Sequence, residues 1–237
     1  MLPRKTKALH CGKSPPLRFE TLCVKLQKMK STKSAVAQFQ DALQTEAPSY
    51  GLTITDNALD RLSKYYELLH AWNARLHLVA PSSPKVFATR HVLESLLLVN
   101  YLPEGARVAD VGSGAGLPII PCLISRPDIT AVLIEASKKK AIFLREALNA
   151  TTVSKASVIA ERFENIDPPD VDFVTSRALE RFERMLPQLT SWAPKPGKFL
   201  LFGGEELGRK MAEMGLKSTK NLIANSQRRY LFVVSTP

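Results

Sequence analysis

The chain has 237 residues, 45% of them hydrophobic, and a formal net charge of +11 at neutral pH. That length fits one large domain or one domain with an appendage, and no apolar run approaches the roughly 18–20 residues of a membrane span. Three cysteines without a C-x-x-C pair and four histidines without metal-ligand spacing argue against zinc sites and thiol redox chemistry, and unpaired thiols suit the reducing cytoplasm.

Residues 1–33 form a basic arm. They hold nine Lys or Arg and one acid, a charge of +8, whereas the other 204 residues carry only +3. Prolines, few aromatic residues and repelling charges predict a flexible extension. Two interpretations stay open: an arm that binds RNA phosphates non-specifically, or a dispensable extension with Met29 as the natural start. The arm lacks the apolar core of about 7–15 residues that is typical of a secretory signal.

Residues 34–104 predict helices only, packed on the domain that follows. A short helix fits Ser34 to Pro48. A longer one begins with Thr55 or Asp56 as N-cap and carries apolar residues at three- and four-residue steps, until Pro81 ends it. A third helix fits Pro84 to Tyr101.

Residues 105–237 alternate strands with helices, which predicts a mostly parallel α/β sheet covered on both faces. The last two strands have no helix between them and therefore predict an antiparallel hairpin at one edge. The predicted strands are RVADV (107–111), TAVLIE (130–135), ASVIA (156–160), VDFVTS (171–176), KFLLFG (198–203), TKNLIA (219–224) and RYLFVV (229–234). The predicted crossover helices span 118–125, 138–149, 179–192 and 205–214.

The stretch VADVGSGAGLPIIP follows the first strand into the first crossover helix. Gly112, Gly114 and Gly116 allow a sharp turn and a close approach to a ligand. Their G-x-G-x-G spacing is not the G-x-G-x-x-G of dinucleotide-binding folds, and no Gly-Lys-Ser/Thr follows. Pro118 and Pro121 remove amide donors where a pyrophosphate would need them. The loop therefore disfavours a diphosphate ligand.

Glu135 ends the second strand, 23 residues after Gly112. A carboxylate there can accept hydrogen bonds from both hydroxyls of a ribose, which indicates a nucleoside without a diphosphate. S-adenosylmethionine fits, since its sulfonium and amino groups are cationic and Asp110 offers negative charge before the turn. The alternative is that Asp110 and Glu135 only cap local backbone.

Several separate strings resemble one family, RsmG (also called GidB), the bacterial 16S ribosomal RNA guanine-N7 methyltransferases. The strings are DVGSGAGLPIIPCLISRPD, LLHAWNARLHLV, TRHVLESL, VIAERFENI and VTSRALERF, which cover roughly residues 50–205 in the expected order. The resemblance implies a Rossmann-like class I S-adenosylmethionine-dependent methyltransferase fold with seven strands. It also implies 16S ribosomal RNA or a precursor of the small subunit as partner, a cytoplasmic monomer, and neither metal nor membrane.

The resemblance assigns seven residues to the cofactor: Gly112, Gly114, Leu117, Glu135, Phe163, Glu164 and Arg177. Gly112 and Leu117 would line its methionine end, and Glu135 would hold the ribose. Phe163 and Glu164, after the third strand, would bracket the adenine by an apolar face and a hydrogen-bonding edge.

Arg177 follows the fourth strand in VTSRAL, and the resemblance makes it the catalytic candidate, facing the cofactor or the substrate. A structural ion pair with a neighbouring carboxylate is its alternative role. Guanine N7 carries a free lone pair, so the reaction needs no general base; proximity and orientation suffice. Arg177 could stack on the target base or contact a phosphate.

The chain departs from the family pattern at three places. Ile119 stands where the family usually has glycine, His77 to Val79 where it has an Asn-Leu-Thr run, and Phe202 where it has lysine. These departures bear on RNA recognition more than on cofactor binding. Rival interpretations are a methyltransferase of another RNA, a protein or a small molecule, a non-catalytic nucleic-acid-binding protein on this scaffold, and a nicotinamide dehydrogenase, which the glycine spacing disfavours.

Overall fold

The computed structural model describes residues 33–177 and 182–236. Residues 1–32, which make up nearly all of the predicted basic arm, lie outside this part. So do residues 178–181, where the third predicted crossover helix begins. The fold below is therefore that of the chain from Ala35 onward, which forms one compact unit.

Three helical segments precede the sheet, as predicted. Helix α1 spans Ala35–Glu46 and continues as a 3₁₀ turn, α2 spans Asp56–Leu76, and α3 covers residues 84–101. Thr55 is the N-cap of α2, since its hydroxyl accepts a hydrogen bond from the Ala58 N–H at 3.3 Å.

Helix α2 ends five residues before Pro81, which corrects the predicted boundary. His77 adopts the left-handed conformation (φ 48°, ψ 52°), and its N–H donates to the Asn73 carbonyl at 3.0 Å. The Asn73 side-chain amide then brackets Val79, donating to its carbonyl and accepting from its N–H, both at 3.0 Å. Leu78 and Val79 therefore lie outside the helix, in a short segment that the hydrogen bonds to Asn73 hold in place.

Helix α3 is continuous, but its central part is wider than an α-helix. An α-helical turn at Pro84–Val86 leads into a π-helical stretch, Phe87–Leu93, followed by an α-helical turn, Glu94–Leu96, and a 3₁₀ turn, Leu97–Tyr101. Apolar periodicity predicts a helix here and carries no signal for π geometry. Such π-helical stretches are rare and occur often at functional sites.

Seven strands form one sheet with the order β3-β2-β1-β4-β5-β7-β6. The strands are β1 (Arg107–Val111), β2 (Thr130–Ile134), β3 (Ala156–Ile159), β4 (Phe173–Arg177), β5 (Lys198–Gly203), β6 (Ser218–Leu222) and β7 (Tyr230–Ser235). Strands β1 to β5 are parallel, while β7 pairs antiparallel with both β5 and β6. The predicted parallel sheet with an antiparallel edge hairpin is confirmed, and strand bounds shift by one or two residues.

Four crossover helices connect the parallel strands or lead to the hairpin: α4 (Ile119–Ser125), α5 (Lys138–Ala150), α6 (Phe182–Trp192) and α7 (Glu205–Glu213). One face of the sheet packs on α1 to α5 and the other on α6 and α7. Strand β1 lies between β2 and β4, where the strand order reverses. The carboxyl ends of β1, β2 and β4 therefore meet at the edge where ligands bind in open α/β sheets.

Candidate functional site

A cavity of about 740 Å³ opens at the carboxyl edge of the sheet. It collects residues from the loop after β1, the end of β2, the turn after β3 and the end of β4. All seven predicted site residues line it: Gly112, Gly114, Leu117, Glu135, Phe163, Glu164 and Arg177. The structure thus brings together residues that lie up to 65 positions apart in the sequence. Their individual roles stay predictions.

The three glycines of the loop have different tasks. All three have positive φ, 73° at Gly112, 54° at Gly114 and 82° at Gly116, but only the first two line the cavity. A Cβ on Gly116 would lie 2.3 Å from Ile120 Cδ1 and 3.2 Å from Leu144 Cδ2. Gly116 therefore lets the loop pack on α4 and α5, which corrects its predicted role in the approach to a ligand.

The first three amides of the loop, those of Gly112, Ser113 and Gly114, are already used inside the protein. Gly112 and Ser113 both donate to the Ile134 carbonyl, at 2.9 and 3.1 Å, and Gly114 donates to Glu135 Oε2 at 2.8 Å. A diphosphate site at such a turn needs free N–H groups that point at the phosphates. The loop is therefore built to be a wall of the cavity rather than an anion nest.

Glu135 is held rigidly at the cavity wall. Its Oε2 accepts from the Gly114 N–H and its Oε1 from the Ser137 N–H, both at 2.8 Å, and the residue is 8% exposed. A carboxylate oxygen has two lone pairs, so each oxygen can accept one more hydrogen bond. The backbone-capping role and the ribose-binding role are thus compatible in one side chain.

Asp110 lies outside the cavity, contrary to the expectation that it offers negative charge to the ligand. It is fully buried on the face of β1 that packs against α2 and α4, and neither carboxyl oxygen has a hydrogen-bond partner among the described residues. Burial raises the pKa of Asp110 to about 8, because it outweighs the lowering effect of the nearby Ser113 hydroxyl, and the Glu135 charge acts in the same direction as burial. At neutral pH the group is therefore mostly uncharged.

The third wall of the cavity is the 3₁₀ turn Phe163–Asn165 after β3. Phe163 packs edge-on against Trp192, with ring centroids 5.4 Å apart, and is nearly buried. Glu164 pairs with Arg162 at 3.3 Å. An aromatic face and a carboxylate thus stand side by side, the pair that an adenine base would need.

The guanidinium of Arg177 is extensively bound by α3. One terminal nitrogen donates to the His91 carbonyl at 3.3 Å and to Ser95 Oγ at 3.1 Å, and the other donates to the Arg90 carbonyl at 2.6 Å and to Glu94 Oε2 at 3.4 Å. The alternative role predicted for Arg177, a structural ion pair with a neighbouring carboxylate, is therefore present in the structure, and the carboxylate is that of Glu94. The Arg177 side chain nevertheless lines the cavity and is 16% exposed. The same residue therefore forms the ion pair and part of the cavity wall.

Two family departures lie around this arginine. Phe202 places its ring 5.6 Å from Arg177 Cζ, a cation–π contact that supports one side of the guanidinium. Val79 lines the cavity together with Leu78, so this wall is apolar at position 79, where the family pattern has threonine. Ile119, by contrast, is fully buried in the core and affects packing rather than the pocket.

The sequence does not predict His91 as a site residue, since the four histidines show only that metal-ligand spacing is lacking. His91 lines the cavity from the π-helical part of α3 and packs on Phe87, with ring centroids 5.1 Å apart. Burial lowers the pKa of His91 to about 4, and the charges of Arg177 and Arg90 act in the same direction. A neutral imidazole therefore faces the pocket. The one available signal is its position in the matching string TRHVLESL.

The rim of the cavity carries both cations and carboxylates. Lys140, Arg162 and Arg184 line it together with Glu161 and Glu164, and Arg162, whose side chain is 63% exposed, pairs with Glu164. Exposed cations around a pocket that can hold a nucleoside suit a polyanionic partner.

Two classes of feature are absent from the described part of the chain. Residues 33–177 and 182–236 contain no group of three or more His, Cys, Asp or Glu side chains placed to hold a metal ion. Within the same residues, every helix is too short or too polar to cross a bilayer.

Comparison with known proteins identifies the family. The sequence model of the GidB family, described as rRNA small subunit methyltransferase G, matches residues 58–234. The chain is similar to the ribosomal RNA small subunit methyltransferase G of Sorangium cellulosum, 36% identical over 69% of this chain and 71% of that protein. It is also similar to the protein of the same name from Methylobacillus flagellatus, 32% identical over 76% of this chain and 88% of that protein.

The fold has solved counterparts at low sequence identity. The ribosomal protein L11 methylase of Lactobacillus delbrueckii subsp. bulgaricus superposes with a TM-score of 0.52 at 15% identity, over 62% of this chain and 79% of that chain. At this identity the likeness concerns architecture alone. It agrees with the strand order, in which an antiparallel hairpin closes a parallel sheet.

Proposed function

Because the chain belongs to the GidB family of rRNA small subunit methyltransferase G, we propose that it transfers the methyl group of S-adenosylmethionine to N7 of a guanine in 16S ribosomal RNA. Bound in the cavity, S-adenosylmethionine supplies an electrophilic methyl group on a sulfonium. The protein's own task is to bind that molecule, to bring the base to it and to exclude competing geometries.

One observation carries the proposal: Glu135 presents a fixed carboxylate beside a glycine loop whose first three amides are occupied. The free lone pairs of that carboxylate match the two hydroxyls of a ribose. The occupied amides of Gly112, Ser113 and Gly114 disfavour a diphosphate at the loop. Phe163 and Glu164, on the neighbouring turn, match an adenine base. The chemistry of this donor set fits an adenosine derivative without phosphates.

The remaining part of the cavity suits a base lifted out of RNA. Leu78, Val79 and His91 line it from the helical side, and Arg177 lines it from the end of β4. Apolar side chains and a cation can hold an unstacked base, which is how proteins usually recognise single-stranded RNA. Guanine N7 needs no deprotonation, which agrees with a site whose histidine is neutral and accepts no proton near pH 7.

The partner and setting follow from the same proposal. The substrate is 16S ribosomal RNA, free or in a precursor of the small subunit, and Lys140 and Arg184 at the rim of the cavity support contacts with its phosphates. We also propose that the protein acts in the cytoplasm as a monomer. A gel-filtration and light-scattering measurement tests the last point.

Titration calorimetry tests the cofactor. S-adenosylmethionine and S-adenosylhomocysteine should bind, and NAD should bind far more weakly. Glu135→Ala should weaken both cofactor forms by about 1–3 kcal/mol, because hydrogen bonds to a charged acceptor are removed. Glu146→Ala, at an exposed carboxylate on α5, is the matched control and should leave affinity unchanged. Equal affinity for NAD, or an unchanged affinity in Glu135→Ala, would contradict the proposed ligand.

Methyl transfer tests the reaction. Small ribosomal subunits and free 16S ribosomal RNA from cells without the gene should accept a labelled methyl group from S-adenosylmethionine, and chemical mapping should find N7-methylguanine at one position. The same RNA from cells that carry the gene is the control and should accept little label. Label on another atom or another RNA, with the cofactor bound normally, would redirect the substrate and leave the cofactor assignment intact.

A further inference from the structure

A buried carboxylate outside the cavity accepts hydrogen bonds from two arginines. Glu94 is 1% exposed. Its Oε1 accepts from Arg229 Nη2 at 2.6 Å and from Arg229 Nε at 3.1 Å, while its Oε2 accepts from Arg177 Nη2 at 3.4 Å. A buried ionised carboxylate is costly unless it is paired and hydrogen-bonded. Here the two guanidinium groups supply that pairing.

The cluster joins three parts of the chain that are far apart in sequence. Glu94 follows the π-helical stretch of α3, Arg177 ends β4, and Arg229 immediately precedes β7. The π-helical stretch contributes as well, because the carbonyls of Arg90 and His91 accept from Arg177. Of the three charged residues Glu94, Arg177 and Arg229, Arg177 is the one that lines the cavity.

We propose that Glu94 is a positioning residue for methyl transfer, which holds Arg177 against α3 so that its guanidinium keeps one fixed place on the wall of the target-base pocket. This inference rests on the proposed function. Glu94 itself does not line the cavity, so it acts through Arg177. Arg229 completes the arrangement by neutralising the second side of the same carboxylate.

The charge balance explains why a carboxylate is needed. With Glu94 ionised, the two arginines and one acid carry a net charge of +1. Without it, two guanidinium groups stand close together with no counter-charge between them. Repulsion then favours rotamers in which Arg177 leaves the Arg90 and His91 carbonyls. A displacement of about 1 Å at a reacting geometry can cost about a hundredfold in rate.

Glu94→Gln tests the role, since it keeps the shape and removes the charge. We expect kcat for methyl transfer to ribosomal RNA to fall at least about tenfold, with less than a threefold change in the Kd of S-adenosylhomocysteine. Glu94→Asp keeps the charge with a shorter reach and should restore part of kcat. The matched control is Asp128→Asn, which breaks a bidentate carboxylate–arginine pair with Arg126 at the opposite edge of the sheet and should leave kcat unchanged.

Thermal unfolding separates positioning from loss of fold, and all rates are measured well below the lowest Tm. If Glu94→Gln has a lower Tm but the same kcat as the control Asp128→Asn, the inference is overturned, because Glu94 would then only stabilise the fold. Should Glu94→Gln fail to fold, Glu94→Asp decides: wild-type kcat in that folded variant overturns the inference, and reduced kcat with unchanged cofactor affinity supports it. A wild-type protein inactive on every ribosomal RNA substrate would instead refute the proposed function.

Discussion

At the scale of single residues, the chain shows how two carboxylates a short distance apart take opposite electrostatic roles. Glu135 has two backbone N–H donors, whereas neither carboxyl oxygen of Asp110 has a hydrogen-bond partner in the described structure. Asp110 is the penultimate residue of β1, and Glu135 directly follows β2. What separates them is side-chain direction: Glu135 faces the cavity and Asp110 faces the helices that cover the sheet.

The buried Asp110 predicts an unusual dependence of stability on pH. Its pKa is about 8 in the folded protein and near 4 in an unfolded chain. Between these values the folded state binds the extra proton, so the contribution of Asp110 to stability falls as pH rises from about 4 to 8. Tyr65, Cys122 and Glu135 are the titratable groups that share this environment.

Asp110→Asn removes this titration. Relative to wild type, its Tm should therefore rise progressively from pH 5 to pH 8, as measured by calorimetry in matched buffers. Asp128→Asn is the control, since Arg126 lowers the pKa of Asp128 below its usual range and the group stays ionised throughout this window. Its Tm difference should be constant. A pH-independent Tm difference for Asp110→Asn as well would show that Asp110 does not titrate there.

At the scale of elements, the loop after β1 owes its shape to packing as much as to the ligand. Gly116 has φ of +82° and Ile120 occupies the space of its missing side chain. Gly51 has a similar φ of +68° with nothing within 4 Å of a Cβ. A side chain at Gly51 would therefore cost backbone strain alone, whereas a side chain at Gly116 would cost strain and overpacking together.

Gly116→Ala should lower the free energy of unfolding by about 2–4 kcal/mol, because left-handed strain and overpacking each cost about 1–3 kcal/mol. Gly51→Ala should cost only about 1 kcal/mol, for strain alone. Urea denaturation of both variants measures the difference. Equal losses would mean that Ile120 and Leu144 move aside and that the loop tolerates a side chain.

The elements also show what the sequence can predict. The strand and helix periods in the sequence predict all four crossover helices. Thr55 is one of the two predicted N-caps of α2 and is its N-cap in the structure. The end of α2 is predicted wrongly, because His77 takes a left-handed conformation and the Asn73 side chain bonds the backbone of Val79 beyond it. The π-helical stretch of α3 likewise depends on tertiary partners, since Arg177 binds its carbonyls from another element.

At the scale of the whole molecule, the site residues at strand ends can be predicted from the topology of the sheet, whereas those from the helices before the sheet cannot. The carboxyl ends of parallel strands meet at one edge, so Gly112, Glu135 and Arg177 could be placed together from sequence. Leu78, Val79 and His91 come from the helices before the sheet. No local pattern tells which face of those helices reaches the pocket, because that depends on how they pack on the sheet.

The charge of the molecule is divided between the arm and the rest, which leads to the last prediction. Residues 1–32 hold eight Lys or Arg and one acid, while the family match begins at residue 58. Deleting residues 1–32 should therefore leave Tm and the Kd of S-adenosylmethionine unchanged. If the arm binds phosphates, RNA affinity should fall and its salt dependence should become shallower. The log–log slope should decrease in magnitude by about 0.7 for each single-stranded phosphate that the arm neutralises.

A full-length variant with the eight arm cations replaced by glutamine is the matched control, because it keeps the length and removes the charge. Filter binding at several salt concentrations should give the same slope for this variant and for the deletion. A slope that stays at the wild-type value in both would make the arm dispensable for RNA binding. A fall in Tm on deletion, without one in the glutamine variant, would mean that the arm packs on the domain and that the predicted boundary at residue 33 is wrong.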